Sequence, residues 1–151
     1  MLLPFRGQAS TTHLREGYEL LMEPPLEVEV LNRLLESCGE RPRTDAVWRE
    51  VLRRSVWHMA VVDSQGTWVG FLRATSDQAL NANLWDLLSS PGDPARQEVI
   101  RALVGAALQR LRREFSGCSI SISAPPEALA ALGQVGFVID PGGIRAMGLK
   151  L

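Results

Sequence analysis

Asp86, in the stretch "ALNANLWDLL", is the residue best placed for acid–base chemistry. The stretch has the length and composition of a strand, and strand alternation puts Asp86 beside Ala82, Leu84 and Leu88. A carboxylate on an apolar face is either hydrogen-bonded or holds its proton more tightly than usual, and the second state suits a general base at neutral pH. The alternative is a structural aspartate satisfied by backbone N–H groups or an arginine, and structural ion pairs are the commoner outcome. Asn81 and Asn83 alternate with that face, next to Trp85. They either line a groove or bond a neighbouring loop, the usual role of strand asparagine.

The second chemical feature follows directly. "SSPGDPARQEVIRALVGAAL" (Ser89–Leu108) is a turn that becomes an amphipathic helix. Strand, tight turn and helix start together favour an anion, because unpaired N–H groups and the helix dipole point the same way. Arg96, Gln97, Val99 and Arg101 occupy the positions that would approach it, with no glycine to admit a close anion. Asp93-Pro94 reads as an N-cap and first helical residue, which puts a carboxylate where the anion would sit. Ordinary helix capping therefore explains this turn better than phosphate binding does.

Other chemistry-bearing residues have plainer readings. His13 and His58 lack a nucleophile or carboxylate at a telling spacing, so neither a catalytic triad nor a metal site is expected. Cys38 and Cys118 lie far apart and read as reduced, packed thiols. Arg110, Arg112 and Arg113 suit the C-terminal end of a helix and its dipole. The four tryptophans, Trp48, Trp57, Trp68 and Trp85, read as packing.

The elements that must position these residues are legible from periodicity. Residues 1–16 read as an arm without helical or strand period, and 17–151 as one domain. A strand at Gly17–Glu23 precedes two helices, one from Leu26 to a stop at Gly39 and one capped by Thr44 or Asp45. "WHMAVVD" and "TWVGFLRATSD" flank a hairpin turn "SQG", and "ALNANLWDLL" is the third strand of that run. After the long helix come "CSISISA" as a strand, "PPEALAALGQV" as a helix, "FVID" as a strand and "GIRAMGLKL" as a last strand. A strand–helix–strand crossover demands a parallel pair, so a mixed sheet flanked by helices is expected.

Composition narrows the function classes. Sixteen basic and seventeen acidic residues leave no field of one sign over the 151-residue chain, which argues against nucleic acid and anionic membranes as partners. No apolar run approaches a membrane span, and "MLLPFRGQAS" lacks the pattern of a secretory signal. A cytoplasmic protein is expected, with a plastid left open.

"RATSD-x-x-LNA-x-x-WDL" (Arg73–Leu87) and "GF-x-x-DP-x-GI-x-x-M" (Gly136–Met147), in this order of elements, resemble the GCN5-related N-acetyltransferases. The likeness is to the cyanobacterial and plastid type that includes serotonin N-acetyltransferases. It implies an α/β fold with a mixed, mainly antiparallel sheet, a central splayed parallel pair and flanking helices. It also implies acetyl-CoA as co-substrate and an amine acceptor, either a small molecule or a protein. On this resemblance Asp86 is the base, and the backbone of Leu87, Leu88 and Ser89 polarises the thioester. Arg96, Gln97, Val99 and Arg101 hold the pyrophosphate, and Asn81 and Asn83 face the acceptor.

Three positions depart from the family pattern. Val99 and Arg101 stand for the glycines of the pyrophosphate turn, making that motif degenerate. Leu132, four residues before Gly136, stands for the usual tyrosine acid, and Ser89-Ser90 replaces an apolar residue before the proline. Two functions follow as expectations. One is N-acyl transfer from acetyl-CoA, and the other is a binding or regulatory module without catalysis. Exposed sheet edges near the last strands allow a homodimer.

Overall fold

The computed structural model describes residues 13–151, so most of the expected 1–16 arm lies outside the described residues. The elements are β1 (Glu19–Met22), α1 (Val28–Ser37), α2 (Asp45–Arg54), β2 (Trp57–Val62), β3 (Trp68–Ser76), β4 (Asn81–Ser89), α3 (Arg96–Glu114), β5 (Ser119–Ile122) and α4 (Leu129–Gln134). The strands form one sheet in the order β1-β2-β3-β4-β5. The first three pairings are antiparallel and β4–β5 is parallel, as the α3 crossover between them requires.

Aspartates set both hairpin turns. Asp63 Oδ1 accepts the N–H groups of Gln65 and Thr67, each at 2.9 Å. Asp77 Oδ1 accepts three, from Ala79, Leu80 and Asn81, at 2.9, 2.8 and 3.0 Å. These bonds satisfy donors that the turn would otherwise leave unpaired, and they start β4 at Asn81. The Asn81 N–H leads in holding the Asp77 carboxyl below its usual range, down to about 2.

Each face of the sheet has its own core. On one side Met59, Leu72, Ala74, Leu84 and Leu87 pack against Val99, Ile100, Leu103 and Ala107 of α3 and against Leu132 of α4. On the other, Ala60, Phe71 and Leu88 pack against Leu31, Leu34, Leu35 and Trp48 of α1 and α2. Each fully buried large side chain contributes about 1.5–3 kcal/mol. Asn32 ties the two helices together, accepting from Trp48 Nε1 at 3.0 Å and from the Arg43 N–H at 3.0 Å. Thr44 caps α2 through the Val47 N–H. No described helix is long and apolar enough to cross a membrane.

Two expectations are corrected. The strands expected at Phe137–Asp140 and Gly143–Leu151 do not form. Residues 141–143 make a 3-10 turn after Asp140, whose φ is +47°. Beyond Ile144 no backbone hydrogen bond joins the segment to any described residue. Alternation fixes which side chains share a face, but a strand also needs a partner for its N–H and C=O groups. The second correction is that α3 begins at Arg96, not at Pro94. Asp93 still accepts the Ala95 N–H, at 2.7 Å, within a turn that precedes the helix.

Candidate active site

The parallel pair holds register only from Asn81↔Ser119 to Leu84↔Ile122. Beyond Leu84, β4 continues to Ser89 paired with β3 alone, because β5 stops at Ile122 and Pro125-Pro126 follow. From Trp85 to Ser89 the edge of β4 therefore has no ladder partner on its β5 side, and this parting of the two strands is termed the wedge.

A bulge sits at the mouth of that wedge. Phe71 pairs with Leu88 and Arg73 with Trp85, so Leu72 faces two residues, Asp86 and Leu87. Asp86 has φ +53°, a left-handed conformation that aspartate tolerates better than most side chains. The extra residue breaks strand alternation. Leu84 and Leu87 both face the α3 core, while Leu88 joins the α1–α2 core. The expectation that Asp86 shares an apolar face with Ala82, Leu84 and Leu88 is therefore wrong. Its Oδ2 instead accepts from Arg73 Nε at 2.6 Å, with the two side chains 24% and 17% exposed. Arg73 also lies over the Trp85 ring, 5.9 Å from its centroid. No other described donor reaches the Asp86 carboxylate.

Next to this pair is a polar strip that α1 and α2 leave uncovered. Thr75, Asn83 and Ser121 lie side by side across β3, β4 and β5. Trp85 Nε1 donates to Thr75 Oγ1 at 2.8 Å, and Ser121 Oγ donates to Asn83 Oδ1. Asn81 is exposed at the end of the strip. The two asparagines and the Arg73–Asp86 pair thus border one open face.

On the far side of the wedge, Leu87, Leu88 and Ser89 are buried. Ser89 Oγ accepts from Arg96 Nε at 2.9 Å, and Arg96 Nη2 reaches Glu127 Oε1 at 3.0 Å. Gln97 Nε2 donates to the Glu127 carbonyl at 3.2 Å. Arg96 therefore spans the wedge from the end of β4 to the turn before α4. The N–H groups of Gln97 and Glu98 have no acceptor among the described residues, so two donors remain at the helix start. Asp93 takes the Ala95 N–H and the Tyr18 hydroxyl, and Arg15 clamps Glu98 at 2.6 Å. Arg15 lowers the Glu98 carboxyl, while burial and then Asp93 raise the Tyr18 phenol.

Val99 does not line this turn as expected. Val99 is fully buried against β3 and its N–H is bonded to the Ala95 carbonyl at 2.9 Å, so it neither offers a donor nor obstructs an anion. Arg101 is exposed and forms no ion pair among the described residues. Leu132 is core. Sequence reasoning missed Arg73 and Glu127 as partners of Asp86 and Arg96. Only strand register and the return of the chain after β5 bring those pairs together. No group of three metal-ligating side chains occurs among the described residues.

The comparisons with known proteins follow the same outline. No protein-family model matches the chain. An N-acetyltransferase of Pyropia yezoensis named ycf52, itself uncharacterised, is 34% identical over 121 residues, covering 78% of this chain and 68% of the relative. The chain belongs to the GCN5-related N-acetyltransferases. A chloroplastic GCN5-related N-acetyltransferase 1 of Arabidopsis thaliana is 32% identical over 127 residues, or 81% of this chain and 61% of that one. This family member thus spans about two thirds of the length of these relatives. The fold agrees with the Escherichia coli family member YhbS, solved in complex with CoA, at TM-score 0.63 and 18% identity, over 83% of this chain and 71% of that one. That N-acetyltransferase fold has, in this chain, the parallel β4–β5 pair at its centre of interest.

Proposed function

We propose that the chain transfers an acetyl group from acetyl-CoA to an amine. The observation that carries this reading is the wedge beyond Leu84 with the Asp86 bulge at its mouth. An open strand edge offers N–H and C=O groups to the amides of a pantetheine arm, as an added strand would use them. Backbone N–H groups of the Leu87–Ser89 segment would polarise the thioester carbonyl, a form of oxyanion stabilisation. Arg96, Gln97 and the N–H groups of Gln97 and Glu98 would hold the diphosphate, with Arg101 adding charge from further out.

In the transfer the amine nitrogen attacks the thioester carbon, the C–N bond forms and the C–S bond breaks. Asp86 accepts the amine proton through Oδ1, directly or through a water, while Arg73 fixes its orientation through Oδ2. The thiolate takes its proton from water, since Leu132 offers none. Asn81, Asn83 and Trp85 border the face from which a small-molecule or protein amine would approach.

A second reading, a family member that binds without catalysis, draws support from the Arg96–Glu127 bridge across the wedge and from Asp93 at the turn. Thermal unfolding with acetyl-CoA, CoA and ATP separates the two. Binding at about 100 times Kd adds about 2.7 kcal/mol, a rise of about 5–10 °C for this size. A rise specific to the CoA compounds, followed by acetyl transfer to a panel of amines, supports the enzyme. No rise at millimolar ligand overturns it in favour of the binding module.

A further inference from the structure

A cavity of about 260 Å³ lies on the α1 side of the sheet, between α1, the start of β3 and the residue that follows β4. Leu34 and Trp68, both part of the core beneath α1, form apolar walls. The Trp68 ring lies nearly parallel to that of Phe71, their centroids 6.3 Å apart, which fixes the wall in place. Arg33, Ser37, Thr67 and Ser90 supply the polar lining, and no carboxylate borders the cavity. Arg33 makes no ion pair among the described residues, although Glu29 and Glu36 stand on the same helix at the spacings where such pairs form. On α2 those spacings are used, and Glu50 holds both Arg53 and Arg54. Arg33 Nε reaches the Glu29 carbonyl at 3.4 Å, which leaves its two terminal nitrogens without a described partner. Trp68 is 6% exposed and its indole N–H has no acceptor among the described residues, yet it is not sealed from solvent as the Trp57 N–H is. A donor that opens into the cavity accounts for both facts.

We propose that this cavity binds a small carboxylic acid with a short apolar body. Its side chains offer donors and one positive charge, and an ionised carboxylate is the organic group that only accepts. Arg33 takes the carboxylate in a charge-assisted pair, and the Trp68 N–H and the Ser90 hydroxyl add bonds from the other wall. Leu34 and the Trp68 ring then cover the apolar body, a gain that an inorganic anion could not make. A volume just below the about 300–1,000 Å³ of drug-sized pockets suits a ligand of about ten non-hydrogen atoms. The site shares no side chain with the Arg73–Asp86 pair or the Arg96–Glu127 bridge. It still touches the chain where β4 ends, because the Ser90 N–H continues the bonding to β3 at the Val69 carbonyl, 2.8 Å away. The proposal is independent of the acetyl-transfer reading.

The test is an amide NMR titration of the whole 15N-labelled chain with sodium benzoate, with benzamide and inorganic phosphate as the neutral and the non-apolar controls. Millimolar benzoate is expected to give saturable shifts at Arg33, Ser37, Thr67 and Ser90 and at the Trp68 indole N–H. Benzamide and phosphate each bind about tenfold more weakly or less, because one lacks the charge and the other the apolar body. Arg33→Gln weakens benzoate by about tenfold and leaves the spectrum of α3 unchanged. Val30→Trp, which fills the cavity from a half-buried helix position, abolishes the shifts and gives a second variant should the first fold poorly. No saturable shift at these residues overturns the proposal. So does benzamide or phosphate binding as tightly as benzoate, or full benzoate affinity in either folded variant.

Discussion

Val99 occupies the space that a side chain at Gly70 would need: a Cβ built on Gly70 would lie 2.4 Å from Val99 Cγ1 and 3.0 Å from Leu103 Cδ1. This contact between β3 and α3 sets how closely the helix approaches the sheet, and so where Arg96 stands relative to Ser89. Gly70→Ala is expected to cost about 1–3 kcal/mol by overpacking. Val99→Gly is expected to cost about 2–4 kcal/mol, from lost burial and a helical glycine. Urea unfolding reads both. Val99→Gly together with Arg101→Gly gains no acetyl-CoA affinity, because Val99 never faced the anion; a gain would show that the helix start can rebuild into a phosphate turn.

Asp86 and Arg73 should act as a unit. Removing Arg73 leaves a carboxylate that is three-quarters covered without its donor, an expected loss of about 1–3 kcal/mol. A double-mutant cycle with Arg73→Ala and Asp86→Ala should return a coupling near the lower half of that range. On the acetyl-transfer reading, Asp86→Asn lowers kcat by about 10²–10⁴-fold and changes the dissociation constant of acetyl-CoA little. Equal losses in both would make Asp86 a structural residue.

On the acetyl-transfer reading, Glu127 competes with the diphosphate for Arg96. Glu127→Gln is expected to tighten CoA binding several-fold, whereas Arg96→Ala weakens it by about tenfold, or about 1.4 kcal/mol. Isothermal titration of both variants measures the contrast. Weaker binding in Glu127→Gln would mean that the bridge shapes the wedge instead of closing it.

Asp77 supplies a pH dependence whose sign is set by its hydrogen bonds. The fold holds its carboxyl near 2, below the usual 3.8, so the folded state favours the ionised form. That contribution is complete above the unfolded value and is lost as pH falls from there towards 2. The stability difference between wild type and Asp77→Asn should be constant from neutral pH to about 5 and shrink below it. A difference that grows on acidification would contradict the assignment.

Much of the fold was legible because each element announces itself locally. Thr44 caps its helix, "SQG" turns its hairpin, and the long apolar face of the central helix runs through Val99. Val99 is fully buried on that face, which shows that helix phase decides this position, not turn chemistry. The Asp86 bulge was not legible. One inserted residue leaves no mark in composition, yet it moves a carboxylate from one face of the sheet to the other. The Arg73 and Glu127 partnerships were hidden for the same reason: they depend on register and on chain return. The strands expected at "FVID" and "GIRAMGLKL" failed because alternation says nothing of a partner for the backbone groups, and neither segment has one among the described residues.

The bulge divides β4 into two runs of opposite pleat phase. Before it, even-numbered residues (Ala82 and Leu84) point to α3; after it, odd-numbered Leu87 does. Removing Asp86 alone would therefore restore one unbroken phase from Asn81 to Ser89 with every apolar side chain still on its own core. The hydrophobic core has no use for this residue. The sheet carries a left-handed, arginine-pinned aspartate as a surplus position, at a cost of about 1–2 kcal/mol for its conformation. Hydrophobic packing would let such a position disappear; on the acetyl-transfer reading, Asp86 is kept for the wedge beside it.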